Sequence, residues 1–325
     1  MEYGKIGRKL RRILCALVPS KGFRDAVREG YVREYLAFKR RLKREGEPEK
    51  FPTYLSACAI VKNEAAYIAE WIEYHLLVGV EKFYIYDNES TDDTKTVLAP
   101  YVRDGIADHK SWPGTGQQSA AYNDALAKHR ATDRWIAFID LDEFLVPISK
   151  PTIPEILREY EDLPAVCVNW LFYGDNGFDK KTDGLVIERF TAHSRPEFER
   201  NRMFKSIVNP RRAIRMLTHN ARFAGPFITR NTKRQMEIHG LRGMWRKPAY
   251  DKMRLNHYWG KSKEEFRMKK ARGDVVSGER RPDWDESYEY YNRNEIKDDR
   301  TMEKYVARVK ENISKRFARN KRPRP

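Results

Sequence analysis

The chain has 325 residues, of which 40% are hydrophobic and 34% charged, with a formal net charge of +17. It is long enough to bury a large core, and its composition excludes fibrous, low-complexity and membrane-spanning proteins. Residues 1–52 hold 15 Lys and Arg against 7 Asp and Glu, residues 300–325 hold 10 against 2, and the intervening residues add only +1. Within that middle part, residues 53–188 sum to −11 and residues 189–272 to +17. A generic nucleic-acid binder does not need an acidic half facing a basic one, so we expect no nucleic-acid partner.

The first 52 residues are predicted to form a basic helical extension. Apolar and basic residues alternate between Ile6 and Val18, and the apolar ones share a helical stripe made of Ile6, Leu10, Ile13, Leu14 and Leu17. Such a segment suits either an anionic membrane surface or a helix docked on the rest of the chain, and both interpretations stay open. Pro19 ends it, a second helix is expected from Gly22 to Arg44, and residues 45–48 read as a linker.

Cysteine usage and hydropathy predict the compartment. Cys15, Cys58 and Cys167 are odd in number, far apart and without metal-binding spacing, which indicates free thiols in a reducing environment. No apolar stretch reaches the length of a secretory signal or a membrane span. We therefore predict a cytoplasmic protein, peripheral on the inner face of the cytoplasmic membrane.

From residue 53 onwards, apolar runs alternate with helical patterns. Tyr54–Val61 precedes a helix whose apolar face contains Ile68, Trp71, Ile72 and Leu76. The run Phe83–Tyr86 precedes a helix over about residues 92–102, for which Ser90 and Asp93 predict a cap. A short strand at 106–108, a helix at 117–128 and the run Trp135–Ile139 follow. This alternation predicts an α/β fold with a mostly parallel sheet.

Two carboxylates lie where the Trp135–Ile139 strand ends. Asp140 and Asp142 are two residues apart, so in an extended segment they project to the same side. Ligands of open α/β sheets bind at the carboxyl ends of the strands. Two carboxylates there suit a divalent cation, and a cation suits a substrate that carries phosphates.

Several ordered motifs resemble a known family. Residues 59–94 (AIVKNEAAYIAEWIEYHLLVGVEKFYIYDNESTDDT), FIDLDEFLVP, NWLFYG, KSIV and NHYWGKS resemble the GT-A nucleotide-sugar glycosyltransferases, within them the family 2-like proteins of glycosyltransferase family 92. The resemblance covers roughly residues 54–275. It implies a GT-A domain over residues 53–299, with a mixed, mostly parallel sheet, between a helical N-terminal extension (1–52) and a basic C-terminal helix and tail (300–325).

The resemblance also implies roles in binding the donor. Asp87 would contact the nucleotide base, although it could equally be a turn residue that bonds its own backbone. The loop made of Lys62, Asn63 and Glu64 would bracket the nucleoside, or Glu64 could be only a first-turn helix carboxylate. The helix that bears Gln118, Tyr122 and Asn123 would lie near the sugar nucleotide, with packing as the alternative for Tyr122. Asp140 would touch the ribose or the metal, and Glu143 would brace the loop.

Metal binding and catalysis complete the implied site. Mn²⁺ or Mg²⁺ would be held by Asp142 with Asp140 and a late histidine, for which His257 is the first candidate and His219 and His239 are competitors. Inversion of the anomeric carbon needs a general base, and Asp175 and Glu237 are the two candidates. The basic residues that could contact phosphates are Lys205, Arg211, Arg212 and Arg215.

We therefore predict a glycosyltransferase that moves a hexose from a uridine-diphosphate-type donor to a hydroxyl of a glycan or lipid-linked saccharide. Two alternatives remain open from the sequence. A haloacid-dehalogenase-like phosphohydrolase also uses Asp-x-Asp, although there the motif ends the first strand of the core. A non-catalytic basic protein that binds membrane or nucleic acid would explain the ends but not the acidic middle.

Overall fold

The computed structural model describes the greater part of the chain, namely residues 33, 36–37, 40–41, 43–44, 50–223, 229–237, 247–271 and 284–320. The described residues between 33 and 44 are helical, as predicted for the second N-terminal helix. The predicted membrane-facing segment, the linker at residues 45–48 and His239 lie outside the described residues.

Strands and helices alternate along the chain. The described strands are β1 (Thr53–Val61), β2 (Lys82–Asp87), β3 (Ala107–Ser111), β4 (Asp133–Phe138), β5 (Glu143–Pro147), β6 (Ala165–Phe172), β7 (Phe204–Val208), β8 (Ala213–Met216), β9 (Ala221–Phe223), β10 (Thr229–Asn231), β11 (Met236–Glu237) and β12 (Met253–His257). The α-helices are α1 (Ile68–Leu77), α2 (Thr94–Arg103), α3 (Gln118–Lys128), α4 (Ile153–Leu157), α5 (Val186–Arg189), α6 (Lys263–Ala271), α7 (Trp284–Tyr291) and α8 (Glu303–Asn320).

Ten strands form one mixed sheet, which confirms the predicted fold class. Its main path runs β11-β10-β6-β7-β4-β1-β2-β3, and β12 joins β5 to β6. The pairs β1–β2, β2–β3, β1–β4 and β6–β12 are parallel. In contrast, β7 runs antiparallel to both of its neighbours, β4 and β6.

The central strands are apolar on both faces because each face covers a separate core. On β4, Trp135 and Ala137 belong to one hydrophobic cluster, whereas Ile136 and Phe138 belong to the other. This is why the run lacks the alternation of a half-exposed strand. Cys58 and Cys167 are buried free thiols, as predicted.

The last described helix, α8, packs onto the sheet-flanking helix α1. Val309 of α8 is fully buried, and Phe317 packs against the main core. Arg316 donates to Glu73 Oε1 and, at 2.8 Å, to Asp104 Oδ2. Residues 315–320 therefore belong to a docked helix and not to a solvated tail, because Arg316 and Phe317 pack there. No helix in the described part of the chain is both long and apolar enough to cross a membrane.

Candidate active site

Four loops meet at one edge of the sheet. The parallel strands β1, β2 and β4 end at Val61, Asp87 and Phe138, so the loops that follow them lie side by side. Strand β6 runs in the same direction, because β7 is antiparallel to both β4 and β6, and it therefore brings residues 173–175 to this edge.

Hydrogen bonds tie the loop after β1 to the loop after β2. The Asn63 N–H donates to Ser90 Oγ at 2.9 Å, and the Glu64 N–H donates to Thr94 Oγ1 at 3.0 Å. We predicted that Ser90 caps α2, and the structure shows that it does not. The N-cap residue is Asp93, which makes no side-chain cap, and the Thr94 N–H at the start of α2 donates to Asp92 Oδ1 at 3.0 Å.

Asp87 stands at the junction of these loops. Its Oδ1 accepts the Ser90 N–H at 2.9 Å, and its Oδ2 lies 3.1 Å from His109 Nε2. The turn role that we left open for Asp87 is thus present in the structure, and contact with a nucleotide base stays a prediction. Lys62 is half-buried in the adjoining loop. Its contact with a nucleoside stays a prediction as well.

Four side chains fix Asp140, three through its carboxylate and one through its backbone N–H. Its Oδ1 accepts hydrogen bonds from Gln118 Nε2 at 2.9 Å and the Tyr122 hydroxyl at 3.1 Å, and its Oδ2 accepts one from Lys205 Nζ at 2.8 Å. The Asp140 N–H donates to Glu143 Oε2 at 2.9 Å, so Glu143 braces the loop as predicted. Burial raises the pKa of the Glu143 carboxyl well above its usual range, and Lys205 offsets this only in part.

Asp142 has a different set of partners, which come from the late part of the chain. Its Oδ1 lies 3.7 Å from His257 Nε2, and its Oδ2 accepts a hydrogen bond from Lys269 Nζ at 2.5 Å. Burial alone would raise the pKa of Asp142, but the Lys269 charge lowers it well below its usual range. His257 is placed because β12 pairs with β5, opposite Glu143, and with β6, opposite Phe172.

His257 is the predicted histidine that the structure places beside the Asp-x-Asp motif. Burial lowers its pKa, with Asp142 acting in the opposite direction. Its ring packs against Trp170 at 4.5 Å, and His219 contacts the same indole at 5.3 Å. The Nδ1 atom of His219 lies 3.3 Å from the Phe204 carbonyl.

A cation at this edge would be coordinated by few protein ligands. Among the described residues, no three His, Cys, Asp or Glu side chains converge to hold one. Asp142 and His257 provide an oxygen and a nitrogen that face each other, whereas both Asp140 oxygens are engaged by protein donors. The donor set therefore fits a hard cation only if oxygens of a bound ligand complete its coordination.

The two candidate bases lie in different places. Protein donors fill the Asp175 carboxylate, which accepts bonds from the Gly177 N–H, the Tyr288 hydroxyl, Asn292 Nδ2 and Asn294 Nδ2 at 2.8–2.9 Å. Glu237 lies on β11 at the sheet margin, separated from β4 by three strands. A role as base stays a prediction for each, and the contacts of Asp175 are those of a brace between the loop after β6 and α7.

The basic residues grouped with Lys205 do not share its position. Because β7 is antiparallel to β4, Lys205 near its start lies at the site, while Arg211 and Arg212 lie beyond its other end. Arg212 there donates to the Asp162 carbonyl at 2.6 Å, and Arg215 pairs across the β8–β9 hairpin. Asn123 also has a structural role, because it bonds both backbone groups of Met216.

Two lysines that we did not predict complete the basic side of the site. Lys269 contacts Asp142, and Lys261 is buried near it. Lys261 lies in the NHYWGKS motif, four residues after His257, so its spacing could have indicated it. Lys269 is 127 residues from Asp142 in sequence, and no local signal connects the two.

Comparison with known proteins assigns the chain to a family. The family model described as glycosyltransferase family 92 matches residues 54–317. The chain belongs to glycosyltransferase family 92. Membership confirms the family and the GT-A fold that the resemblance implied.

Relatives and solved structures were also found. A family 92 protein of Oryza sativa subsp. japonica is 31% identical over 132 residues, which cover 37% of this chain and 22% of the relative. A protein named beta-1,4-galactosyltransferase, from Caenorhabditis elegans, is 30% identical over 124 residues, 32% of this chain and 28% of the relative. The match thus spans about a quarter of each of these relatives. The S. aureus TarS 1-349 complex with UDP-GlcNAc is 17% identical with a TM-score of 0.34, covering 48% of this chain and 45% of that one.

Proposed function

We propose that the protein transfers a hexose from a nucleoside-diphosphate sugar, of the uridine type, to a hydroxyl of a glycan or lipid-linked saccharide, with inversion. The observation that carries this proposal is the convergence of Asp142 and His257 beside the loops that follow β1 and β2. The beta-1,4-galactosyltransferase name of the nematode relative supports transfer of a hexose.

Each loop at this edge has one role in the proposed function. The loops of Asn63 and Asp87, cross-linked by hydrogen bonds, would hold the nucleoside. Asp142 and His257 would hold Mn²⁺ or Mg²⁺ against the diphosphate. When bound, such a cation neutralises charge that develops on the leaving diphosphate. Asp140 would orient this loop, and its Oδ2 and Lys205 ammonium form an ion pair at 2.8 Å.

The phosphohydrolase alternative is disfavoured by the order of the strands. The Asp-x-Asp motif follows β4, the fourth described strand in sequence, and not the first strand of the core. Its first carboxylate, Asp140, is also held by three protein donors, which restrict its approach to a substrate as a nucleophile.

Incubation with a panel of nucleotide sugars and Mn²⁺ tests the proposal. We expect one donor to raise the melting temperature and to release nucleoside diphosphate, slowly even onto water. Release of inorganic phosphate from phosphate esters would favour the phosphohydrolase. The absence of both activities, with binding of anionic vesicles, would favour the non-catalytic protein.

For location, we propose peripheral attachment to the inner face of the cytoplasmic membrane through the first 20 residues. Deleting residues 1–20 should move the protein from the membrane pellet to the soluble fraction while donor hydrolysis persists. Equal pelleting of both forms would contradict membrane binding by this segment.

A further inference from the structure

Lys261 is a buried lysine whose position the proposed mechanism has not used. Its residue is 6% exposed, and its backbone φ is 55°, in the left-handed region that side chains other than glycine seldom adopt. Strained backbone of this kind is found most often at functional sites, where the surrounding structure holds it. The strained residue here directly follows Gly260 and lies four positions after His257.

The ammonium group of Lys261 has no ion pair or hydrogen bond to the described residues. Its Nζ lies 4.3 Å from the centroid of the Tyr67 ring. The Tyr67 hydroxyl donates a hydrogen bond to Glu265 Oε1 at 2.9 Å. A ring face attracts a cation but accepts no conventional hydrogen bond from it, whereas phosphate oxygens accept charge-assisted hydrogen bonds.

The ammonium is influenced by both halves of the proposed donor site. Glu64, in the loop after β1, and Asp142, in the Asp-x-Asp loop, both act electrostatically on Lys261. Burial nevertheless lowers the pKa of Lys261, because the two carboxylates offset the loss of hydration only in part. Among the described residues, the carboxylates near Lys261 thus compensate its charge only in part.

We propose that Lys261 binds the diphosphate of the sugar donor through its ammonium group. This inference rests on the proposed function, and it identifies a binding residue in addition to Asp142 and His257. A diphosphate that bridges from the Glu64 loop to Asp142 passes the Lys261 ammonium. Its oxygens would accept the hydrogen bonds that the described residues do not accept. Since a divalent cation neutralises only part of the diphosphate charge, a further positive charge strengthens binding.

The test compares three ligands that differ only in phosphate number. Calorimetry with Mn²⁺ first selects, from UDP, GDP, CDP and ADP, the diphosphate that the wild type binds. The matching nucleoside and monophosphate are then titrated into the wild type and into Lys261→Met, which keeps the length of the side chain. We expect the Kd of the diphosphate to rise about ten- to a hundredfold, the effect of losing one charged hydrogen bond. The Kd of the nucleoside should not change. Lys263→Met, at the half-buried first residue of α6, is the matched control and should leave all three values unchanged.

Stability without ligand provides an independent readout. Removing an incompletely compensated buried charge should raise the melting temperature of Lys261→Met above that of the wild type. A lower melting temperature with unchanged diphosphate affinity would show that Lys261 is structural and would overturn the inference. If Lys261→Met does not fold, Lys261→Gln is measured in the same way.

The outcomes separate this inference from the function on which it rests. If the wild type binds none of the four diphosphates, the proposed function fails and the inference fails with it. If the wild type binds one and Lys261→Met binds it equally well, only the assignment of Lys261 fails.

Discussion

Acidification should destabilise the protein through one buried histidine, His75 of α1. Its Nδ1 lies 2.8 Å from the Trp71 carbonyl, and its Nε2 lies 3.2 Å from the backbone nitrogen of Leu145 in β5. The first contact needs a hydrogen on Nδ1, and the second needs a lone pair on Nε2, so the imidazole must be neutral. Protonation of Nε2 would break the bond to β5 inside a fully buried site.

The size of the effect follows from the pKa of this residue. Burial lowers the pKa of His75 from 6.5 to about 3, and the hydrogen bond to Trp71 opposes this only in part. Because the folded-state value is the lower one, the stabilisation is complete above pH 6.5 and is lost as the pH falls from there towards 3. One pKa unit corresponds to about 1.4 kcal/mol, so the loss reaches about 2 kcal/mol near pH 5 and about 5 kcal/mol once both states are protonated.

Urea unfolding of the wild type and His75→Gln at pH 8 and pH 5 measures this effect. Glutamine can donate to Trp71 and accept from Leu145 but does not titrate in this range. We expect it to be less stable at pH 8, because the ring contact with Phe144 is lost, and to lose about 2 kcal/mol less than the wild type at pH 5. The other titrating groups cancel in this comparison. Equal losses in both proteins would refute the assignment of a neutral, buried His75.

Three further predictions concern the site and its support. Asp142→Asn should lower the transfer rate about a hundredfold or more with the fold preserved, because a Lewis acid contributes several kcal/mol. His257→Ala should weaken Mn²⁺ dependence less severely, because Asp142 and the diphosphate oxygens would still hold the ion. In steady-state kinetics, Asp87→Ala should raise the donor KM more than it lowers kcat, since contacts remote from the reacting carbon bind substrate and transition state equally. Arg189→Met should lower the free energy of unfolding by about 3–5 kcal/mol in urea titrations, because it leaves the buried Glu265 carboxylate without its bidentate partner.

Sequence patterns predicted the first half of the fold well because the signals there are local. The apolar runs that became β1, β2 and β4 are buried on both faces, so every residue in them contributes to the pattern. The helix expected at 117–128 was found as Gln118–Lys128. The Ser90 cap failed because its hydroxyl is used by the neighbouring loop, a tertiary contact that the capping pattern does not contain.

The second half of the site could not be predicted because it depends on strand order. Only the structure shows that β7 enters the sheet antiparallel between β4 and β6. That insertion brings Lys205 to Asp140 and leaves Arg211 at the other margin. The pairing of β12 with β5 likewise brings His257 within 3.7 Å of Asp142, although 115 residues separate the two in sequence. Resemblance to a family supplied what periodicity could not, namely the expectation of a late histidine, and His257 is the one that lies beside Asp142.

The acidic and basic halves of the sequence pair with each other in the folded site. The acidic half supplies Asp140 and Asp142, and the basic half supplies Lys205 and Lys269, which pair with them at 2.8 and 2.5 Å. Lys269 thereby helps to keep the buried Asp142 ionised, because its charge lowers the pKa of that carboxyl well below its usual range. A divalent cation bound at Asp142 would repel Lys269, and a diphosphate bound with the cation would give that ammonium a new acceptor. Cation and diphosphate should therefore bind more tightly together than either does alone, because the diphosphate provides an acceptor for the Lys269 ammonium that the cation repels.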